Sequence, residues 1–399
     1  MLDSVIVGAG PAGLAASREL TERGLEHRVL EKGEGPGHCW AHLYDSLRLH
    51  TGKHLSGLPG RPFPDSAPLF VPRDVFVAYL RDYADHFRLP VVPECAVHRI
   101  APGGRPGEDR AAVRPGPDGG GREQSRSRHP GPDHWEIETE RGLLRARTVV
   151  VATGILSNPH TPRFRGQEDF PGKIVHSVEY RRPGPFVGRR VLVVGAGNSA
   201  GEIAPELARA GAEFTVAIRS GANVVPRTVL GIPVQYLAWG VLKLPHRARE
   251  VIVKTFGQAT RAVRGELPFP RPEGSPLDSI PLIGFGLVNA IRSGAVKLKG
   301  GIEGMSRDGV TFEDGATEPF DDVILATGYR PALGPLDRLV RTDEEGFALR
   351  TDRVASADHP GLYFIGHNYD ATGGLSNIRR DAPLVAERAR ARSLGTGTR

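Results

Sequence analysis

An α/β fold made of two β–α–β nucleotide-binding units, the second inserted into the first, is what this sequence predicts. Three observations carry that reading. The stretch VIVGAGPAGLAASREL (5–20) has the pattern of strand, glycine turn and helix. VLVVGAGNSAGEIAPEL (191–207) repeats it at a constant offset of 187, so that Gly8 falls on Gly195, Gly10 on Gly197, Leu20 on Leu207 and Gly24 on Gly211. The chain has 399 residues, enough for two or three domains with their own cores.

The elements follow in order. Residues 1–32 read as strand DSVIV, a helix near 11–23 and strand HRVLE. A helix rich in Tyr and Phe is predicted over 70–89, and strands over HWEIETE and ARTVVVATG in 133–152. Between them lies 101–132, dominated by Gly, Pro and Arg with almost no apolar side chains. Such a segment has too little to bury to order itself, so it reads as a surface insertion into a hairpin. The second β–α–β unit spans 190–219, with helices through 246–292. The short strands GVTFEDG and FDDVILATG, then GLYFIGHNYDATGGLSNIRR and a closing helix, end the chain. This gives a first unit over 1–165, an inserted unit over 166–310 and a return segment over 311–399.

Composition excludes several classes. With 39% hydrophobic and 25% charged residues the chain has the make-up of an ordinary globular protein. Its 52 basic and 46 acidic side chains leave +6, an excess divided between 101–132 and 377–399. That is not the clustered basic face of a nucleic-acid binder. Two cysteines, Cys39 and Cys95, form neither a CxxC nor a metal-ligand spacing. No leader-like segment and no membrane span is legible. A cytoplasmic protein, monomer or homodimer, acting on small molecules is expected. The most apolar window, VLGIPVQYLAWGVLKL (229–244), reads as a buried helix lining a pocket.

The glycine turns carry chemistry. Gly8 permits the tight turn, Gly10 lets the backbone approach a pyrophosphate past Pro11 and Ala12, and Gly13 lets helix and strand pack closely. The helix N-terminus then presents free N–H groups to the phosphates. Glu31, beside Lys32 at the end of HRVLE, stands where a carboxylate accepts from a ribose diol. In the second turn Gly195, Gly197, Asn198, Ser199 and Ala200 repeat the pattern, but Glu31 falls on Ile218, followed by Arg219 and Ser220. A cation and a hydroxyl in place of the acid suit a 2′-phosphate, which means NADPH. The first turn then holds a dinucleotide with a free ribose, FAD. Two such sites facing each other pass a hydride from nicotinamide to flavin.

Further stretches narrow the type. FPGKIVHSVEY (170–180) fits F-x-G-x-x-x-H-x-x-x-Y through Phe170, Gly172, His176 and Tyr180. VVVATG (149–154) and VILATGY (323–329) are paired ATG stretches, and LRLHTGKHLSGLPGRPFP (47–64) follows Trp40. Together they resemble the class B flavin monooxygenases, and among these the plant YUCCA type and related bacterial enzymes. The likeness spans nearly the whole chain outside 101–132. It implies that NADPH reduces FAD, that O2 adds to flavin C4a, and that the peroxyflavin gives one oxygen atom to a small organic substrate.

The resemblance also implies site residues. His176 is more structural than chemical. His50 and Thr51, with Lys53, stand on the oxygen-reactive side of the flavin, where a neutral His50 would donate a hydrogen bond. Ala152, Thr153 and Gly154, and likewise Thr327 and Gly328, belong to the cofactor cradles. Gly366 lies near the flavin, backbone N–H groups around Leu375 and Ser376 point at its pyrimidine end, and Val97 lies on the strand that reads the adenine. Tyr180 in place of Trp, and one residue too many before Trp40, depart from the ketone-oxidising branch. A disulfide reductase shares both turns but needs a dithiol. An NADPH oxidase without oxygenation, a non-catalytic flavin sensor and a nucleotide-binding scaffold compete with the monooxygenase reading. The substrate is not legible: aromatics Tyr236, Trp239, Phe256 and Phe269 are expected to line its pocket, and amines, sulfides, 2-oxo acids and secondary metabolites all fit.

Overall fold

The structure, a computed structural model, describes residues 1–104, 132–270, 281–369 and 372–395. The first unit runs β1 (Leu2–Val7), α1 (Pro11–Glu22), β2 (His27–Leu30), α2 (His38–Ala41), α3 (Lys53–Ser56), α4 (Arg73–His86), β3 (Val91–Val92), β4 (Val97–Gly103), β5 (His134–Thr139) and β6 (Gly142–Val151). The second begins with β7 (Lys173–His176), β8 (Arg190–Val194), α5 (Asn198–Arg209) and β9 (Glu213–Ala217). Three two-residue strands follow, β10 (Val224–Val225), β11 (Thr228–Val229) and β12 (Ile232–Pro233), then α6 (Val234–Val241) and α7 (His246–Arg264). β13 (Leu282–Ile283), α8 (Gly286–Arg292) and β14 (Lys297–Lys299) precede a small antiparallel sheet, β15 (Ile302–Ser306), β16 (Gly309–Phe312) and β17 (Thr317–Glu318). β18 (Asp322–Leu325), β19 (Leu362–Phe364) and α9 (Gly374–Ser393) complete the chain.

The strands form two main sheets. The first has the order β3-β2-β1-β6-β5-β4, with β19 pairing the end of β6. The second has the order β14-β9-β8-β18-β7 and is parallel throughout. Parallel central strands are covered on both faces, which is why VIV, VVV, VLVV and VIL are apolar without alternation. Val5 and Val7 pack with Trp135, Val149 and Phe364 on one face of the first sheet. Ile6 packs on the other with Leu14 of α1, Phe76 and Tyr83 of α4, and Ile378 and Val385 of α9. In the second sheet Val191 and Val193 meet Ile203 and Leu207 of α5, while Leu192 and Leu325 meet Phe312 and Phe320.

The 187-residue offset holds in three dimensions. α1 and α5 superpose end to end by number. Gly8 N–H donates to Leu30 and Gly195 N–H to Ala217; Leu14 closes on Gly10 and Gly201 on Gly197.

Four expectations are corrected. β18 pairs with β7 and β8, so the chain crosses back to the first sheet after Leu325, not at residue 311. β4 pairs antiparallel with β5 out to Gly103↔His134, so residues 101–103 are strand and the interruption of the hairpin starts later. Residues 105–131 of that segment lie outside the described residues. Within 246–292, β13 stands between the helices α7 and α8. The apolar window 229–244 is not a buried helix: Leu230 is 98% exposed and Trp239 43%, and in α6 only Gln235 is buried.

Candidate active site

The two parallel pairings place the site. Val7 pairs with Val151 and Val194 with Leu325, so each glycine turn leaves its strand beside an ATG stretch. Ala152 N–H donates to Val7, and Ala326 N–H to Val194, both at 2.9 Å. A β-carbon on Gly8 would stand 2.7 Å from the Ala152 carbonyl oxygen, and one on Gly195 would press closer still on that of Ala326. A β-carbon on Gly13 would strike Gly8 itself, which is the close helix–strand contact expected of the third glycine. Ala200 replaces it in the second unit and is fully buried.

The first turn opens into a cavity. Gly8, Gly10, Pro11 and Ala12 form one wall, Glu31 and Trp40 another. Ala152, Thr153 and Gly154, then Gly366 and Leu375, and finally His50 and Thr51 close it. These sequence-predicted residues are brought together from widely separated parts of the chain. Lys32 is exposed and, with Val97, is not among the lining residues; Gly13 lies beneath the turn.

Two observations fit a dinucleotide here. β-carbons on Gly10 or Gly154 would meet no protein atom within 4 Å, so the backbone faces open space. The Thr153 hydroxyl is buried with no protein partner, and such a group needs one. Glu31 is 5% exposed, and its two oxygens accept from Ala9 N–H (2.8 Å) and Gly33 N–H (2.9 Å). It braces the glycine turn while leaving lone pairs for a diol. The N-terminal turn of the 20-residue helix α9 lines the cavity through Gly374, Leu375 and Ile378, so its partial positive charge faces the cavity. α9 is pinned from below. Asp381, fully buried, accepts from Arg353 and Asn368 at 2.6 Å each.

The second turn repeats the design with other chemistry. Gly197 and Gly328 also face open space. Ile218 is buried where Glu31 would be, and Arg219 and Ser220 are exposed beyond it. Asn198 serves the fold. Its amide donates to Pro281 (3.2 Å) and accepts from Ile283 N–H (2.9 Å), fastening β13 to the start of α5. Thr327 donates its hydroxyl to His160. Both side chains are thus committed to the fold, and Ser199 at the helix start is half-buried.

The 170–180 motif is a joint. His176 is buried, its Nε2–H donates to the Gly328 carbonyl (3.0 Å), and its Nδ1 accepts from Val178 N–H (3.1 Å). Burial pushes its pKa down, so it stays neutral in that tautomer. Both nitrogens are engaged, which leaves it a positioning residue for the second ATG stretch. A β-carbon on Gly172 would meet the Phe170 ring at 2.6 Å. Tyr180 is buried and donates to Glu206 (3.2 Å).

Other expectations change. Lys53 is not a cavity group: its ammonium donates to the carbonyls of Asp65 and Ala67 and fastens that loop. The four aromatics do not converge on the cavity. Tyr236 bonds His54 (2.8 Å), Trp239 carries Lys243 over its ring, Phe256 lies on α7, and Phe269 belongs to the core of the second unit. Neutral His50 is not a free donor either, because its Nε2 is bound to Glu202 at 2.9 Å. Sequence reasoning missed Glu202 and also the lining residues Ile155, Leu156 and Tyr369. Ile155 and Leu156 directly follow the ATG stretch and were reachable on that ground; nothing in sequence singles out Glu202.

Among the described residues no cluster of His, Cys, Asp and Glu has the geometry of a metal site, and no helix is long and apolar enough to cross a membrane. Cys39 and Cys95 are free thiols, and burial pushes that of Cys39 up.

Known proteins share this fold. The flavin-binding monooxygenase-like family model matches residues 131–349, and the pyridine nucleotide-disulphide oxidoreductase model matches 5–106. The chain is 34% identical over 336 residues to indole-3-pyruvate monooxygenase YUCCA1 of Oryza sativa subsp. japonica, covering 82% of this chain and 76% of that one. It is 31% identical over 402 residues to indole-3-pyruvate monooxygenase YUCCA6 of Arabidopsis thaliana, covering 96% and 89%. A double mutant of the flavin monooxygenase from Stenotrophomonas maltophilia superposes with a TM-score of 0.73 at 25% identity, over 98% of both chains. The bacillithiol disulfide reductase of Staphylococcus aureus, at 18% identity, shares the fold alone. The chain belongs to the flavin-binding monooxygenase-like family and is an FAD- and NADPH-dependent monooxygenase.

Proposed function

We propose that FAD lies in the first cavity and NADPH on the second turn, and that the substrate is a small organic acid of the 2-oxo class. In this reading the FAD-binding part is 1–165 with the chain after Leu325, and the NADPH-binding part is 166–325; sheet membership supports the division. The two cofactors supply hydride transfer and oxygen activation when bound. This chain's residues bind, orient and exclude water around them. Glu31 and the α1 N-terminus hold the ribose and pyrophosphate ends of FAD, and Arg219 with Ser220 takes the 2′-phosphate of NADPH. Trp40, Leu49, Leu375 and Ile378 give the cavity apolar walls, which a water-sensitive oxygen reaction requires. His50 and Thr51 stand on its reactive side.

The observation that carries the reading is the convergence of His50 and Thr51 on the cavity that holds the first glycine turn. The substrate class rests on the names of the relatives, which are indole-3-pyruvate monooxygenases. The test is NADPH consumption, O2 uptake and H2O2 release with indole-3-pyruvate, and with an amine and a sulfide for comparison. Coupled consumption with decarboxylated product supports the 2-oxo acid; coupling only with the amine or sulfide moves the substrate class. A cytoplasmic location and a monomer or homodimer remain part of this reading.

A further inference from the structure

Glu202 lies on the second nucleotide helix, four residues after Asn198, yet its partners come from elsewhere. Its carboxylate accepts from Tyr44 O–H (2.5 Å), His50 Nε2–H (2.9 Å) and Arg227 Nη2 (2.9 Å). Tyr44 and His50 belong to the first unit, and Arg227 lies just before β11, its guanidinium over the Phe70 ring. Beside it, Glu206 accepts from Ser46 (2.8 Å) and Tyr180. Two carboxylates one turn apart thus tie α5 to the segment that ends at the first cavity.

The chemistry of the central contact is fixed. An ionised carboxylate only accepts, so His50 Nε2 carries the proton. Burial acts to raise the Glu202 carboxyl, but the hydrogen bond from His50 and its charge when protonated, the hydrogen bond from Tyr44 and the charge of Arg227 outweigh it and hold it below the usual carboxylate range. A neutral His50 then has one nitrogen left, Nδ1, and it is an acceptor. His50 lines the first cavity.

We propose that Glu202 is a positioning residue for His50: from the NADPH-side helix it fixes the imidazole in the Nε2–H tautomer, so that His50 meets a cavity ligand as a proton acceptor. A base oriented by a third group is the arrangement that makes an imidazole effective. Here the orienting group stands on one nucleotide unit and the oriented group on the other. The inference rests on His50 lying beside the flavin, as proposed above.

The experiment uses the FAD-loaded protein with ¹⁵N-labelled histidine. Long-range ¹⁵N–¹H spectra at pH 8 report each imidazole tautomer, and the His50 signals are those lost in His50→Gln. A single Nε2–H tautomer is expected in the wild type and in Tyr44→Phe, which removes a different donor from the same carboxylate. Glu202→Gln should lose that single tautomer, because an amide both accepts and donates. The second readout is the rate of H2O2 release in air with NADPH as the only reductant and no organic substrate added. Glu202→Gln should change it by at least about 2-fold, the lower end of the coupling between contacting residues, and should have no further effect in the His50→Gln background. An Nδ1–H tautomer in the wild type overturns the proposal. So does an equal Glu202→Gln effect in both backgrounds, which would make the carboxylate a clamp and nothing more. The tautomer measurement stands even if every candidate substrate fails, so loss of the substrate reading is distinguishable from loss of this one.

Discussion

A β-carbon on Gly195 would overlap the carbonyl oxygen of Ala326, and Gly195 holds φ at +125°. Its neighbour Gly197 faces open space at an ordinary φ of −77°. The two glycines of one turn therefore do different things, the first serving the fold and the second the ligand.

Gly195→Ala should unfold or loosen the second unit. The strained φ and the contact with backbone that cannot move away together cost roughly 2–5 kcal/mol. Gly197→Ala should leave the melting temperature of the NADPH-free protein unchanged or slightly raised, because the residue fits and the unfolded chain loses freedom. It should nonetheless weaken NADPH binding. Gly10→Ala is the matching case for FAD, and Gly10→Val should give apoprotein. Thermal melts with and without cofactor check all of these. A large loss of stability in Gly197→Ala without cofactor would show that the space beside it is not a ligand cradle.

Arg219 sets the coenzyme in our reading. Arg219→Ala should raise KM for NADPH far more than for NADH, by about 1.5–3 kcal/mol of lost charge-assisted hydrogen bonding. Steady-state kinetics with both coenzymes decides it. Equal effects would place the 2′-phosphate elsewhere.

Much of this was legible because it is periodic or local. Apolar runs, glycine turns and the helix starts at Pro11 and Asn198 follow from backbone sterics acting over a few residues, and the internal repeat doubled the signal. The ATG stretches were legible as motifs, but their reason was not. It is the parallel register that lays Ala152 on Gly8 and Ala326 on Gly195, and register is a long-range property. Glu202 was invisible for the same reason. Its partners Tyr44 and His50 lie 158 and 152 positions away and carry no spacing signal. The window 229–244 misled because hydrophobicity was read as burial, whereas Leu230 and Trp239 are exposed.

The Glu202 cluster makes stability depend on acid in a defined direction. Its carboxyl is held below the ordinary range in the folded protein, so the unfolded chain binds the proton more readily. The stabilisation is fully present above the ordinary glutamate range and is lost as pH falls through the lower, folded value. The difference in melting temperature between wild type and Glu202→Gln should therefore shrink as pH falls below about 5. A difference that grows as pH falls below about 5 would mean that the carboxyl is protonated in the folded protein.

The last prediction concerns His50 itself. Replacing it with alanine removes a partner from a carboxylate that is 16% exposed, so it disturbs the joint as well as the cavity. Glutamine is the cleaner probe: its amide can still donate to Glu202, but it is no proton acceptor of imidazole strength. His50→Gln should keep a near wild-type melting temperature, whereas His50→Ala should lose about 1–3 kcal/mol from the lost hydrogen bond to a carboxylate that keeps Tyr44 and Arg227. Anaerobic reduction of the bound flavin by NADPH should stay close to wild type in His50→Gln, because hydride delivery depends on the second turn. In air the same variant should release more H2O2 per NADPH and form less product, since the group beside the reactive face has changed. Stopped-flow absorbance without O2, followed by product and peroxide assays with O2, separates the two phases. Slowed anaerobic reduction with unchanged peroxide would put His50 on the hydride path and away from the oxygen step.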